Sequence, residues 1–355
     1  MNIAIDISPL KKGHYLQHRV RGTGFYLKNL QLSLEKYYPE NKYTYFSRGD
    51  LSPKEVDVVH YPYFEPFFLT LPLFSKSKTV VTVHDLTPLV FPNHFKAGLK
   101  GKLKWEIQKR GLRSASAIIT DSISSKKDII KHVGIEESKI NVVYLAAGEE
   151  FKKVESSKLK VQSLRMKYNL PEKFVLCVGD VTWNKNLPRL IEAVKKVKVP
   201  LVMVGSALVK ENVDLSNPWN ADFAKVLSLV EGDSRINRLG FVSNEDLVLL
   251  YSMATVFTMP SIYEGFGLPV LEAMGCECPV ITSKEGSIPE IVEEACRYVD
   301  AYDIDSIASG ISEIFNNKNL QQELSKKGLA QSRKFTWEKT ASETMDVYQK
   351  VIELR

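Results

Sequence analysis

The chain has 355 residues, 44% of them hydrophobic and 25% charged, a length and balance that predict two globular domains rather than one core. No apolar run approaches the ~20 residues of a membrane span, so a spanning helix is not expected. Charge is unevenly divided: residues 1–168 hold 28 Lys+Arg against 16 Asp+Glu, a balance of +12, and residues 169–355 hold 20 against 26, a balance of −6.

In chain order, "NIAIDIS" (2–8) reads as a buried strand with no basic flank of a signal peptide. An amphipathic helix opening on glycines follows over 22–37. "VDVVHYP" (56–62) and "KTVVTVHDL" (78–86) are strands apolar enough to be buried on both faces. A helix around 96–113, a strand over 116–122, a helix ending at Gly134 and a strand over 139–146 complete the first half. The polar, basic segment 151–173 has no strand pattern and marks the boundary. Alternation then restarts with strands at 174–180, 200–206, 236–242, 255–261 and 278–283, separated by helices at 187–198, near 220–231, over "NEDLVLLYSMA" and after Gly267. "IPEIVEEA" and "CRYVD" follow, and 336–355 is one long helix. Strands alternating with helices predict an α/β architecture with a doubly wound parallel sheet, twice over, and two such domains facing each other would leave a cleft at the carboxyl ends of both sheets.

Four cysteines, Cys177, Cys276, Cys278 and Cys296, have neither zinc nor disulfide spacing, and predict reduced thiols in a cytoplasmic protein. The basic half favours an anionic partner such as nucleic acid, a phospholipid surface or a phosphorylated substrate; a solvated basic face is the plain alternative. Within it, residues 94–113 carry seven Lys/Arg and one Glu with Leu99, Leu103, Trp105 and Ile107 interleaved. That stretch reads either as a surface-lying helix attracted to anionic lipid or as a helix with one core face and one solvated face.

The chemistry concentrates in "SIYEGFGLPVLEAMGCECPVI" (261–281). Gly265 and Gly267 let backbone N–H groups approach a ligand, Pro269 suits the first turn of a helix, and a helix start is an anion site. Glu264 and Glu272 on either side are poor phosphate ligands and good acceptors for hydroxyls. The pattern suits a ligand with phosphate in the middle and diols at both ends, which is a nucleotide-sugar.

The run resembles the E-x7-E signature of retaining glycosyltransferases of family 4, which have the GT-B fold of two Rossmann-like domains. The likeness extends through "PVITSKEGSIPEIV" and back to "RLGFVSNEDLVLLYSMATVFTMPS". It implies that Glu264 contacts the donor sugar, that Glu272 holds the ribose hydroxyls, and that Gly265, Phe266, Gly267 and Leu268 line sugar and phosphate. It places the base against the backbone of Phe241 and Val242 and against Leu247. "VGDVTWNKNLPRL" resembles the donor-diphosphate loop, with Lys185 as its point charge. Asp180 and Asn184 stand where many members carry an arginine, so Lys185 has less help than usual, with Arg189 as a candidate second cation. His84 in "VTVHDLTPLVFP" resembles the histidine that meets the donor sugar. Gly22 and Gly24 resemble the glycine loop near acceptor and phosphate, and Asp85 and Ser122 fall on the acceptor side; Ser122 reads equally as a helix N-cap. His60 ends another strand without so clear a match.

"DID" (303–305) imitates a metal-binding D-x-D but opens a helix, so no metal or other cofactor is expected. A nicotinamide enzyme would need G-x-G-x-x-G directly after a strand, and a nucleic-acid binder a reading module; neither is present, and no nucleic-acid partner is expected. The expected division is an acceptor domain over 1–165, a nucleotide-sugar domain over 166–338 and a final helix, 339–355, packing back on the first. The resemblance implies a retaining, metal-independent hexosyltransferase acting on a glycan or lipid-linked glycan, cytoplasmic or peripheral on the inner face of the membrane. The N-terminal motifs are most similar to mannosyltransferase-type members that use GDP-mannose. UDP-glucose, UDP-N-acetylglucosamine, a dTDP-sugar and a nucleotide-sugar isomerase on the same fold stay open.

Overall fold

Runs such as Val58–Tyr61 and Thr79–Thr82 are buried at every position, which is what a parallel sheet covered on both faces requires. The computed structural model describes residues 1–14, 21–49, 55–72, 77–154, 158–215 and 217–353. The chain divides into one unit of Met1–Ala146 with Phe335–Arg355 and a second of Ala147–Lys334.

Among the described residues the first unit holds six strands: β1 Asn2–Asp6, β2 Lys42–Phe46, β3 Val58–Tyr61, β4 Thr79–Thr82, β5 Ala117–Thr120 and β6 Ile140–Val142. They pair in parallel in the order β2-β1-β3-β4-β5-β6. The second unit holds β7 Val175–Val178, β8 Leu201–Val204, β9 Ile236–Leu239, β10 Val256–Met259, β11 Val280–Ser283 and β12 Arg297–Val299, parallel in the order β12-β11-β10-β7-β8-β9. Both orders are doubly wound. In the second sheet the direction of winding reverses between β7 and β10, and a ligand crevice opens at the carboxyl ends of strands at such a reversal.

The final helix, Trp337–Glu353, belongs to the first unit. It packs against the Arg21–Tyr37 helix and against β3, β4 and β5. A buried hydrogen-bonded chain ties it down: the Tyr348 hydroxyl meets His60 Nδ1 at 2.7 Å, His60 Nε2 meets Thr82 Oγ1 at 2.7 Å, and Thr82 Oγ1 lies 3.2 Å from the Tyr26 hydroxyl. Burial pushes the His60 pKa down to about 3, so the ring is neutral and serves one neighbour as donor and the other as acceptor. His60 is therefore a structural tie.

Several elements differ from expectation. β2 is an edge strand, Lys42–Phe46, exposed at Lys42 and half-buried from Tyr43 to Phe46, with no apolar run to announce it. The segment 151–173 contains a helix, Lys158–Tyr168, and the described part of it belongs to the second unit, so the division falls after Ala146 and not at 165; residues 155–157 lie outside the described residues. The reason is local: Lys167 Nζ and the Tyr168 hydroxyl both donate to Asp246 Oδ2 at 2.7 Å, and Leu164 is buried. A helix over Lys318–Ser332 precedes the last one, and the strand expected over 139–146 is only Ile140–Val142. All four cysteines are buried and unbridged.

Candidate active site

At the reversal in the second sheet, the loop after β7 meets the loop after β10. Lys185 Nζ donates to both Glu264 carboxylate oxygens at 2.8 Å, with side chains 22% and 8% exposed. The two loops are sewn together beside this pair. Ile262 N donates to the Asn184 carbonyl at 2.7 Å, Asn184 Nδ2 to the Tyr263 carbonyl at 3.0 Å, and Asn186 Nδ2 to the Pro260 carbonyl at 2.9 Å. Asn184 also accepts from the Thr182 hydroxyl at 2.8 Å, so its amide is a loop tie.

The loop after β11 clamps Glu264 from the other side. Ser287 N and Oγ donate to the Glu264 carbonyl at 3.1 and 3.0 Å, and Ser287 Oγ reaches the Phe266 carbonyl at 3.0 Å. Gly286 makes this close approach possible: at φ 62°, a Cβ there would stand 2.7 Å from the Glu264 carbonyl oxygen and 2.9 Å from its nitrogen. Gly267, at φ 103°, caps the Leu268–Gly275 helix, and a Cβ on it would come within 2.7 Å of Ile288 Cδ1. The glutamate is thus fixed through its backbone before any ligand arrives.

Glu272 lies in that helix and accepts from the buried Tyr251 hydroxyl at 2.9 Å. Burial pushes its carboxyl up to about 7; the Tyr251 hydrogen bond opposes this and the charge of Glu150 adds to it. Phe241 is exposed, Val242 buried and Leu247 half-buried at the start of the Asn244–Met253 helix, and Asp180 is exposed just beyond β7. Arg189 donates to Asn186 Oδ1 at 2.9 Å and lies over the Tyr302 ring, so it supports the loop. Asp303 caps the Ile304–Phe315 helix by accepting from Asp305 N at 2.8 Å, which accounts for the D-x-D.

In the first unit His84 follows β4 and Asp121 follows β5. His84 Nδ1 meets Asp121 Oδ2 at 2.7 Å, and Asp121 Oδ1 is buried with no hydrogen-bond partner among the described residues. Burial alone would lower the His84 pKa, but the charge and hydrogen bond of Asp121, with Asp85 and the Pro62 carbonyl behind them, raise it above the ordinary imidazole value. The Tyr26 ring stands edge-on to the imidazole at 4.9 Å. Asp85 accepts from Thr87 N at 2.8 Å, and Ser122 Oγ caps the Ile123–Val133 helix by accepting from Ser125 N at 3.0 Å.

Two family descriptions match the sequence: glycosyltransferase family 4 over residues 28–147 and glycosyl transferases group 1 over residues 160–331. The O-antigen chain mannosyltransferase B of Escherichia coli is 30% identical over 281 residues, 76% of this chain and 70% of that protein. The chain is a glycosyltransferase of family 4. This glycosyltransferase is also 29% identical over 280 residues to the serotype-specific mannosyltransferase WbdA of Escherichia coli, but that match spans 78% of this chain and only 34% of WbdA. Among solved structures, sucrose-phosphate synthase from Thermosynechococcus elongatus superposes with a TM-score of 0.74 at 20% identity over 100% of both chains. Anabaena HepE, solved with UDP and glucose, superposes with a TM-score of 0.72 at 17% identity over 99% of this chain and 100% of its own. The fold class is GT-B.

The glycosyltransferase brings Glu264, Gly265, Phe266, Gly267, Leu268 and Lys185 together at the reversal, with Glu272 one turn along the same helix. Gly22 and Gly24 lie inside the Arg21–Tyr37 helix and not in a loop opening it, and neither is forced by sterics, since an added Cβ would meet nothing closer than Leu10 Cδ2 at 3.8 Å. Three partners escaped the sequence reading: Asp121, Tyr251 and Ser287. Asp121 stands one residue before the cap of a helix and at the carboxyl end of a strand, which is a signal that position alone could have raised.

Proposed function

We propose that this glycosyltransferase moves a hexose, mannose from GDP-mannose, to an acceptor hydroxyl on a glycan or lipid-linked glycan, with retention and without a metal, at an anionic membrane surface on the cytoplasmic side. The Lys185–Glu264 pair at the β7/β10 reversal carries the reading, because it sets a cation and a hydroxyl acceptor side by side at the anion-binding start of a helix. In this assignment Lys185 meets the diphosphate, Glu264 the sugar hydroxyls, Glu272 the ribose, and His84 of the first unit the donor sugar. Val242, Phe241 and Leu247 meet the base. Two mannosyltransferases among the relatives support the sugar.

This reading assigns no carboxylate among the described residues as a nucleophile. The mechanism is a same-face substitution in which the departing diphosphate takes the acceptor proton. The protein contributes position and charge: Lys185 and the backbone amides near Gly267 stabilise the negative charge that grows on the leaving diphosphate. A thermal-shift screen across GDP-, UDP- and dTDP-sugars tests the donor, with the largest stabilisation expected from GDP-mannose. A larger shift from another sugar nucleotide reassigns the donor, and no shift from any of them sinks the reading. Activity with that donor should survive EDTA; recovery only on adding Mn²⁺ would refute metal independence. The anomeric configuration of the product, read by NMR, tests retention.

A further inference from the structure

The helix Gly98–Ser114 is turned against its own composition. It buries Gly101, Gln108 and Leu112, while Leu99 is 87% and Leu103 67% exposed. At 3.6 residues per turn those two leucines share one face, with Lys100 on one flank, Lys102 on the other, and Glu106 and Arg110 further along it. All four charged residues are exposed. Lys104 and Lys109 are different, being laid over the Phe68 and Trp105 rings.

Apolar burial by itself would roll the helix so that the leucines faced inward. The roll is blocked from the buried side. Gln108 Oε1 accepts from Thr70 N at 2.8 Å, from Thr70 Oγ1 at 2.9 Å and from Leu71 N at 2.9 Å. An added Cβ on Gly101 would lie 3.6 Å from Phe67 Cβ, and one on Gly111 3.3 Å from Leu71 Cδ1, so the 67–71 loop is pressed against the helix where it lacks side chains. The leucines are held outward by a built contact.

We propose that this face of the first unit docks on an anionic lipid surface, Leu99 and Leu103 entering the boundary between headgroups and acyl chains while Lys100, Lys102 and Arg110 meet lipid phosphates. Charge selects the occupant. The face belongs to a half carrying +12, and residues 94–113 hold seven Lys/Arg against one Glu. A second copy of the chain packed through a two-fold axis would set this basic face against itself. Among the described residues no helix is long and apolar enough to cross a membrane, so this face would make an interfacial contact. The inference deepens the membrane surface named in the proposed function; it is argued from one helix, and because its test needs neither donor nor acceptor it can fail while the transfer chemistry stands.

The test is cosedimentation of the full chain with vesicles of phosphatidylcholine alone or mixed with phosphatidylglycerol. Binding is expected to the mixed vesicles only and to weaken with salt. Leu99→Ser with Leu103→Ser should lower partitioning about tenfold, and Lys100→Glu with Lys102→Glu should do the same. The control pair Lys318→Glu with Lys326→Glu, in the second unit, should leave binding unchanged. Any of these results would overturn the proposal: no binding to mixed vesicles, binding indifferent to the leucine variant or to the lysine variant, or a dimer in light scattering that the leucine variant splits. Melting temperature serves as the internal check, since residues this exposed should leave it unmoved; a marked drop would mean that they pack within the protein, and would also overturn the proposal.

Discussion

In the second unit the charged pair at the strand ends is Lys185 and Glu264, joined at 2.8 Å; in the first it is His84 and Asp121, joined at 2.7 Å. The pairs differ in what holds their charge. An ammonium on a four-carbon stem is a fixed cation near neutral pH, whereas an imidazole is charged only as far as its surroundings make it so. Lys185 also comes from a strand adjacent to that of Glu264 at the reversal, β7 beside β10, and its partner is gripped by a second loop at Gly286 and Ser287. One unit thus offers a permanent charge in a preset cradle, and the other a charge that pH and one carboxylate control.

The largest expected effect tests the permanent charge. Lys185→Ala should cut turnover by about 10²–10³-fold, the loss typical of removing one preorganised group from a developing anion. Because it also strips Glu264 of its partner, the melting temperature must be followed alongside, and Lys185→Ala with Glu264→Gln separates the two effects. A single variant with normal turnover would hand the diphosphate to another cation.

Glu272→Ala should weaken donor binding by about 1.5–3 kcal/mol, measured by calorimetry. With its carboxyl pushed up to about 7 by burial, Glu272 should also make donor binding fall as pH drops below that value, since a protonated carboxyl accepts poorly. Its effect on stability has the opposite sign. The folded state holds the proton more tightly than the unfolded chain, so this contribution is fully present below the ordinary value of 4.5 and lost as pH rises through about 7. Glu272→Gln should flatten both profiles.

Tyr348→Phe removes the partner of His60 Nδ1 in the first unit and should cost about 1–2 kcal/mol in chemical denaturation. Ser122→Ala should cost about 1 kcal/mol through loss of a helix cap, with Ser122→Asn restoring most of it. An unchanged stability with a raised acceptor KM would instead return Ser122 to the acceptor side. The smallest and most selective change is Asp121→Asn, which should lower the His84 pKa seen by NMR and narrow the pH range in which the ring is charged. If His84 titrates as before, Asp121 does not control it.

What was legible in the chain follows the reach of each interaction. Glu264, Gly267 and Glu272 sit within nine residues of one strand–turn–helix, so their grouping could be read from spacing while their separate roles were implied only by the family resemblance, and buried strands such as β3 and β4 announce themselves as apolar runs. Lys185 was readable as a strand-end cation, but its partner lies 79 residues away, and the pairing depends on β7 lying next to β10. Asp121 stands 37 residues from His84 for the same reason. β2 was missed because an edge strand has no need of a continuous apolar stretch. The division after Ala146 was missed because polarity in 151–173 signals solvent, not which unit the segment joins.

The His60–Tyr348 hydrogen bond joins residues 288 positions apart, with the whole second unit strung between them. On a ribosome the first sheet emerges before the second unit, yet the helix that covers β3 to β5 emerges only after it. The earlier-made unit must therefore wait, incompletely covered, while the later-made one can close first, a reversal of the usual vectorial order that pulse proteolysis of stalled nascent chains would reveal.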